Sequence, residues 1–493
     1  MKDLKQKTAS GFAYKFAERA GAQGLNFIIS LLLARLLLPE EYGVIALVTV
    51  FITICDVFVT YGFGNSLIAN KDSDQTDFST CFYFGLMLAA VVYVGVFFAA
   101  PLLADFYDTE ILTPVVRVMG LRVPLAAINS VQHAYVSKKM MFRKFFFSTL
   151  IGTVVSGVVA IIMAYMGCGV WAMVEQYLGN VIMDTVFLWI IVGWRPTREF
   201  STARLKKIYS YGWKILVVGL IDTTYSQLRS LIIGKKYSKD DLAYYNRGYR
   251  FPSFGMRLIE PTVNSVMFPA LAHCRNNQAE MRDITRKVIL ASTYIIYPIM
   301  IGLAAVARPL VMVLLTKKWL PCVIYLQIGC IANLFRPQQF INNSIVKASG
   351  RSDLLLKLDI VKKAIGITLL LISMMFGVFW IAISLVATYF ISMMINIAPN
   401  RKILGYGYRA QFTDVFKNLI LALIMGACIY PISFLELNNA LLLVIQIVLG
   451  VGVYLGLSIL FKNESYCLLM RFLKNLHKNR KAAKSKRSEV SKT

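Results

Sequence analysis

Apolar residues run along this chain in long blocks separated by short polar breaks. Stretches such as Leu86–Leu103 and Ile284–Val306 approach the roughly 20 residues that a helix needs to cross a hydrocarbon core. The pattern predicts about fourteen such spans, at 14–38, 43–69, 78–100, 114–136, 145–166, 169–193, 208–234, 241–271, 284–307, 321–347, 354–377, 379–400, 412–434 and 440–461. Helices satisfy their own backbone hydrogen bonds, as lipid requires. The expected fold class is therefore an all-α integral membrane protein. The one long polar segment runs from Lys462 to Thr493, so no soluble domain is expected. The opening MKDLKQKTAS lacks the three regions of a signal peptide, and the first helix is expected to stay.

The two halves echo each other. At an offset of 200 residues, LLLARLLLPEEYG (31–43) lies over LIIGKKYSKDDLA (231–243). Ala34 matches Gly234, Arg35 matches Lys235, and Glu40-Glu41 match Asp240-Asp241. In each copy a helix ends in a small residue and a cation, and a short acidic loop leads onward. Six predicted helices separate the copies, so both share one orientation: a parallel repeat, a common transporter plan. The expected organisation is an N-lobe at 1–200, a C-lobe at 201–405, two further helices within 406–461 and a basic tail at 462–493.

Composition supports the membrane assignment: 57% of residues are hydrophobic and the mean hydropathy is +0.61. The formal charge of +27 could suggest nucleic acid, but its distribution argues otherwise. Basic residues gather in alternate loops, at Lys138–Lys144, Arg195–Lys207, Arg275–Lys287 and Arg401–Arg409. Intervening loops such as PEEY (39–42), ADFYDTE (104–110) and LELNN (435–439) have almost none; Lys235, Lys236, Lys239, Arg308, Lys317 and Lys318 are exceptions. This positive-inside pattern places both termini in the cytoplasm. The tail KNRKAAKSKR (478–487) reads as a topology anchor on anionic headgroups. Eight cysteines are scattered singly and three histidines are dispersed, so neither disulfides, metal nor cofactor is expected. Trp194, Trp213, Trp319, Tyr406 and Tyr408 read as interfacial anchors.

Charge inside membrane helices is costly and usually faces a polar cavity. Four spans carry such faces. The first has Lys15, Arg19, Ala22, Asn26 and Ser30 at helical spacing, with Glu18 and Gln23 beside them. The second has Thr49, Thr53, Asp56 and Thr60; the seventh has Asp222, Tyr225, Ser226 and Arg229. The eighth has Arg247, Arg250, Arg257 and Asn264, with Glu260 alongside and Pro252 and Pro261 interrupting. If the halves pack face to face, these helices line one net-positive cavity. Guanidinium groups there suit an anion, phosphate oxygens in particular. Mutual neutralisation, for example of Asp222 by Arg229 or Glu260 by Arg257, is the structural alternative. Glu175 and Asp184, and Asp359 with Lys362 and Lys363, read as buried pairs or ion-coupling groups. Arg336-Pro337 marks either a broken helix or a plain kink.

These residues resemble a known family. The segment LLLARLLLPEEYGVIALVTVFI (31–52) is similar to the signature of Wzx-type polysaccharide flippases, the polysaccharide-transport family of the multidrug/oligosaccharidyl-lipid/polysaccharide superfamily. KKMMFRK (138–144), GWRP (193–196), the run 211–252, VMFPALA (266–272) and KASGRSDLLLKL (347–358) follow in order, covering roughly 1–460. The lipopolysaccharide and colanic-acid exporter branch is the most similar. The resemblance implies flipping of undecaprenyl-pyrophosphate-linked oligosaccharide from the cytoplasmic to the periplasmic leaflet of a bacterial inner membrane. It implies Arg19, Arg250 and Arg257 as pyrophosphate contacts, Gln23, Asn26, Tyr225 and Asn264 as contacts to sugar hydroxyls, and Arg229 as a further substrate-binding position. Asp56, Asp222 and Glu260 are the positions for a coupling ion. The second span has Asp56 but no arginine, which argues against a lipid II substrate. Expected partners are the lipid-linked oligosaccharide, membrane lipids, and the polysaccharide polymerase with its chain-length machinery, and no nucleic acid. Two alternatives remain. A multidrug antiporter of the same superfamily would favour carboxylates over arginines. A membrane polymerase or ligase would need a long outer loop with catalytic groups. No GxxxxGK[ST] occurs, so ATP hydrolysis by this chain is not expected, and the chain is read as a transporter rather than an enzyme.

Overall fold

The computed structural model describes residues 21, 23–61, 64, 66–67, 73–274 and 277–471. Arg19, Lys15, Glu18 and the basic run 478–487 lie outside them. All regular structure among the described residues is helical. The first half holds α1 (Gln23–Leu36), α2 (Pro39–Thr60), α3 (Gln75–Phe106), α4 (Leu112–Gly120), α5 (Arg122–Lys138), α6 (Phe142–Tyr165), α7 (Val170–Val192) and α8 (Thr202–Lys236). There follow α9 (Lys239–His273), α10 (Gln278–Ala305), α11 (Ala307–Leu314), α12 (Cys322–Asn333), α13 (Arg336–Ala348), α14 (Ser352–Ser373), α15 (Val378–Leu404), α16 (Tyr408–Ile429) and α17 (Asn439–Leu460), with a last helical turn pair, α18, at 464–471. Among the described residues, eight helical segments are by themselves long and apolar enough to cross a membrane. The chain is a multi-pass, all-α membrane protein. α8 and α9 are long but carry polar faces, and the tenth predicted span is divided into α12 and α13.

The repeated segment has a repeated geometry. α1 ends at Leu36 and α2 opens at Pro39; α8 ends at Lys236 and α9 opens at Lys239, 200 residues on. Three residues into α2, Glu41 reaches back to accept from the Leu38 amide at 2.7 Å. Asp241 does the same for the Ser238 amide at 3.4 Å and also accepts from its hydroxyl at 2.8 Å. A carboxylate at the third helical position thus satisfies an amide left without an intrahelical partner. The junctions meet closely. Glu40 and Lys239 form an ion pair at 3.7 Å, and a Cβ on Gly43 would sit 2.1 Å from the Lys239 carbonyl oxygen. Likewise a Cβ on Gly234 would sit 2.2 Å from the Leu47 side chain. Gly43 meets backbone and leaves no room for a side chain, whereas at Gly234 the end of the Leu47 side chain would have to move aside.

The chain divides into two compact units, Met1–Ala243 and Tyr244–Thr493. In the first, α2 is the central helix and packs on α3, α5 and α8, burying Ile45, Leu47, Val48 and Ile52. One end is closed by an aromatic cluster of Phe78, Phe82, Tyr135, Trp189 and Trp194. The connection after α7 is fastened to α3. Trp194 donates to Gln75 at 2.7 Å, the Ser79 and Thr197 hydroxyls are 3.0 Å apart, and Arg204 pairs with Asp74 and Asp77. That pairing holds the Asp74 carboxyl below the usual aspartate range.

In the second unit α10 packs on α16, and α15 packs against α12, α13 and α14. Its core contains a connected polar network. Asn342 and Gln411 exchange hydrogen bonds at 2.8 and 2.9 Å, and Asn400 donates to Asn342 at 2.7 Å. Beyond α17, Glu464 accepts two bonds from Arg286, at 2.6 and 2.7 Å, and Asn418 binds Asn463 and Ser465 at 3.0 Å. Three aromatic residues depart from the interfacial-anchor expectation. Trp194, Trp319 and Tyr406 are buried, because each is enclosed by its unit: Trp319 under Tyr244 and Arg247, and Tyr406 donating to Asp414 at 2.6 Å. Trp213 is exposed, as expected of an anchor.

Candidate functional site

Within the first unit the polar side chains converge on a cavity of about 380 Å³. α5 supplies its main wall. The chain turns at Leu121, between α4 and α5, and residues 122, 126, 129, 130, 133 and 137 then fall on one helical face. That face presents Arg122, Asn129, Ser130, His133 and Ser137 to the cavity, while Asp56 and Thr60 come from α2 and Asp184 from α7. Asp56 Oδ2 lies 3.2 Å from Arg122 Nε, an ion pair off the line of the N–H, and its other oxygen is buried without a hydrogen-bond partner. Asp184 Oδ2 faces His133 Nε2 at 3.4 Å, and its Oδ1 accepts from Ser148 at 2.7 Å. Asn129 Oδ1 is likewise buried and unpartnered. The lining holds two carboxylates, one guanidinium and one imidazole, so it carries no excess of positive charge.

The second unit carries another polar face, along α9. This helix has Pro252, Pro261 and Pro269 within it, and the eighth-span stripe lies across that region. Glu260 pairs with Arg336, and Asn264 accepts from Ser344 at 2.9 Å. Arg336 stacks over the Tyr389 ring at 5.8 Å, and the Tyr389 and Tyr249 hydroxyls are 2.7 Å apart. The break at Leu334–Phe335 sets Arg336 at the first position of α13, followed by Pro337. The tenth span is therefore a broken helix, and Glu260 is neutralised by Arg336 rather than by Arg257.

The residues singled out from sequence fall into three groups. Asp56 joins the first-unit cavity, and Glu260 and Asn264 join the α9–α13 cluster. Gln23 and Asn26 are half-buried on α1, with Gln23 Oε1 unpartnered; Tyr225 and Arg229 lie on α8, Arg229 buried and Asp222 exposed. None of these five lines the cavity. Arg250 is half-buried and Arg257 exposed on α9. Sequence reasoning missed Arg122, Asn129, His133 and Arg336 as site residues. The first three were visible as a polar stripe in the fourth span. Their carboxylate partners lie 66 residues before Arg122 and 51 after His133, and only the fold joins them. Asp359 pairs with Lys362 at 2.6 Å, but its side chain is about half exposed, so this is not the buried pair expected. Among the described residues there is no cluster of three or more potential metal ligands.

The profile of the polysaccharide biosynthesis protein family matches residues 32–324, more than half of the chain. The chain belongs to this family. Its relatives include the teichuronic acid biosynthesis protein TuaB of Bacillus subtilis (strain 168), 24% identical over 84% of this chain and 87% of that protein. The lipopolysaccharide biosynthesis protein WzxC of Escherichia coli (strain K12) is 21% identical over 85% and 86%. The succinoglycan biosynthesis transport protein ExoT of Rhizobium meliloti (strain 1021) is 23% identical, and this chain spans 61% of its length. In fold, the chain is similar to the inward-closed lipid II flippase MurJ, with TM-score 0.75, 14% identity and coverage of 91% of this chain and 98% of that one. An inward-facing multidrug resistance MATE family transporter of the MOP superfamily gives TM-score 0.63 at 14% identity, covering 78% and 94%. The chain is thus a membrane protein of the polysaccharide biosynthesis family, with a transport protein among its relatives and a flippase and a multidrug transporter among proteins of similar fold.

Proposed function

We propose that this chain flips undecaprenyl-pyrophosphate-linked oligosaccharide repeat units from the cytoplasmic to the periplasmic leaflet of a bacterial inner membrane, both termini being cytoplasmic. The observation that carries this reading is a polar, ion-paired cavity inside a helical unit whose outer residues are apolar. Charge placed at that cost in a membrane helix marks a cargo path. In this reading Arg19, Arg229, Arg250 and Arg257 meet the pyrophosphate, and Gln23, Asn26, Tyr225 and Asn264 meet sugar hydroxyls. Asp222 and Glu260 are positions for a coupling ion, with Asp56 treated separately below. The prenyl tail stays in lipid while the headgroup is exposed alternately to the two sides. Export of a pyrophosphate from a negative-inside cell is helped by about 2.3 kcal/mol per charge per 100 mV. The polymerase and its chain-length machinery take up the flipped product.

A multidrug antiporter would keep carboxylates free for cationic drugs. Here Asp56, Asp184 and Glu260 each face Arg122, His133 or Arg336. The test is charge reversal at Arg250 or Arg257. Both variants are expected to insert normally and to leave complete lipid-linked repeats on the cytoplasmic face. Wild-type export by both would refute the pyrophosphate assignment.

A further inference from the structure

We propose that the first-unit cavity is a saccharide subsite: it holds one sugar residue of the cargo and sets which repeat unit is accepted. This rests on the flippase reading above and deepens it. A pyrophosphate needs excess cation, and this lining has none: Asp56 and Asp184 face Arg122 and His133. Without that excess the cavity suits a polar, uncharged ligand.

Hydrogen-bonding capacity narrows the class. Asp56 Oδ1 and Asn129 Oδ1 are buried acceptors with no partner, and Asn129 is only 5% exposed. Each such atom costs about 1–3 kcal/mol while unpaired. Hydroxyl donors relieve that cost, and the Arg122 guanidinium and Ser130 hydroxyl supply donors in return. Acceptors and donors side by side suit a polyol, whose every hydroxyl both gives and accepts.

Size and surface agree. At about 380 Å³ the cavity lies within the roughly 300–1,000 Å³ range of small-ligand sites. Its apolar residues are Gly64, Ala126, Ala134 and Val181, with no long aliphatic or aromatic side chain among them to grip a prenyl chain or a planar drug. Among the described residues, no three potential ligands stand close enough together to hold a metal.

The experiment uses the full chain in host cells lacking it. They receive two lipid-linked repeat units with the same pyrophosphate and first sugar, differing by one hydroxyl in a later residue. Initial translocation rates are measured for each. Wild type is expected to prefer one unit, and Asn129→Leu and Asp56→Asn to lower that preference at least about 10-fold, the equivalent of one lost buried hydrogen bond. Membrane insertion and thermal midpoint are measured for every variant. If Asn129→Leu does not insert, the smaller changes Asn129→Asp and Ser130→Ala decide by the same ratio. Equal slowing of both units would overturn the subsite, because an ion-coupling group or a pyrophosphate contact acts on every cargo. One of the two units is the repeat made by the chain's own host, so a wild-type chain that moves neither would remove the flippase reading itself.

Discussion

Replacing Gly43 by alanine adds one methyl group at the tightest helix contact in the first unit. The new Cβ would lie 2.1 Å from the Lys239 carbonyl oxygen, 2.6 Å from its carbonyl carbon and 2.8 Å from its Cβ. Ordinary contact starts near 3.4 Å, so the start of α9 has to retreat by about 1 Å. Two of the three obstructing atoms are backbone and have no rotamer to change. Overpacking of this kind costs about 1–3 kcal/mol, and more where the backbone itself moves. Alanine recovers about 0.8–1 kcal/mol of helix propensity, leaving a net loss of up to about 2 kcal/mol. Retreat of Lys239 also lengthens its 3.7 Å pair with Glu40. Gly24 and Gly95 are the internal controls, since a Cβ there meets nothing within 4 Å. The assay is the thermal midpoint of detergent-solubilised protein, read as the fraction surviving size-exclusion chromatography. Gly43→Ala should lower it by a few degrees, while Gly24→Ala and Gly95→Ala should hold or raise it. Equal midpoints for all three would refute the close-approach argument.

Other consequences concern the second unit. Asn342→Leu removes the donor to Gln411 Oε1, while Gln411 Nε2 keeps the Tyr406 carbonyl and Asn400 keeps the Asn342 and Asn396 carbonyls, so it should cost about 1–3 kcal/mol; an unchanged midpoint would show the network to be dispensable. Arg336→Gln strands the Glu260 carboxylate, so the double variant with Glu260→Gln should be more stable than Arg336→Gln alone, by up to about 3 kcal/mol. The reverse ranking would mean that the pair is not coupled. The bidentate bond from Arg286 holds the Glu464 carboxyl below the usual glutamate range. A depressed folded pKa stabilises above the unfolded value, about 4.3, and that contribution is lost as pH falls through the folded value. Hydrogen-exchange protection of 463–471 should therefore collapse at acid pH in wild type and show no such step in Glu464→Gln; identical profiles would exclude the clamp.

Much of this architecture is written locally. Block length and apolar content give the helices, and the 200-residue echo gives the two matching junctions, down to Glu41 and Asp241 each holding the amide three residues back. The Arg336-Pro337 break was partly legible: proline suits the first turn of a helix, but a plain kink fitted the sequence equally well. The cavity was only half legible. Asp56 stood out as a charge in an apolar span, but nothing local announces that Arg122 answers it or that Asp184 meets His133. Such pairs depend on how α2, α5 and α7 rotate about their axes, which spacing along one helix does not fix. Trp194, Trp319 and Tyr406 show the same limit: position near a span end suggested the interface, while packing within each unit buried them.

The most direct test of the account is the leaflet distribution of lipid-linked oligosaccharide in cells deleted for this chain. The account predicts that complete repeat units accumulate on the cytoplasmic face and clear on re-expression of the wild-type chain. An unchanged lipid-linked pool, with repeats still reaching the periplasmic face, would contradict it.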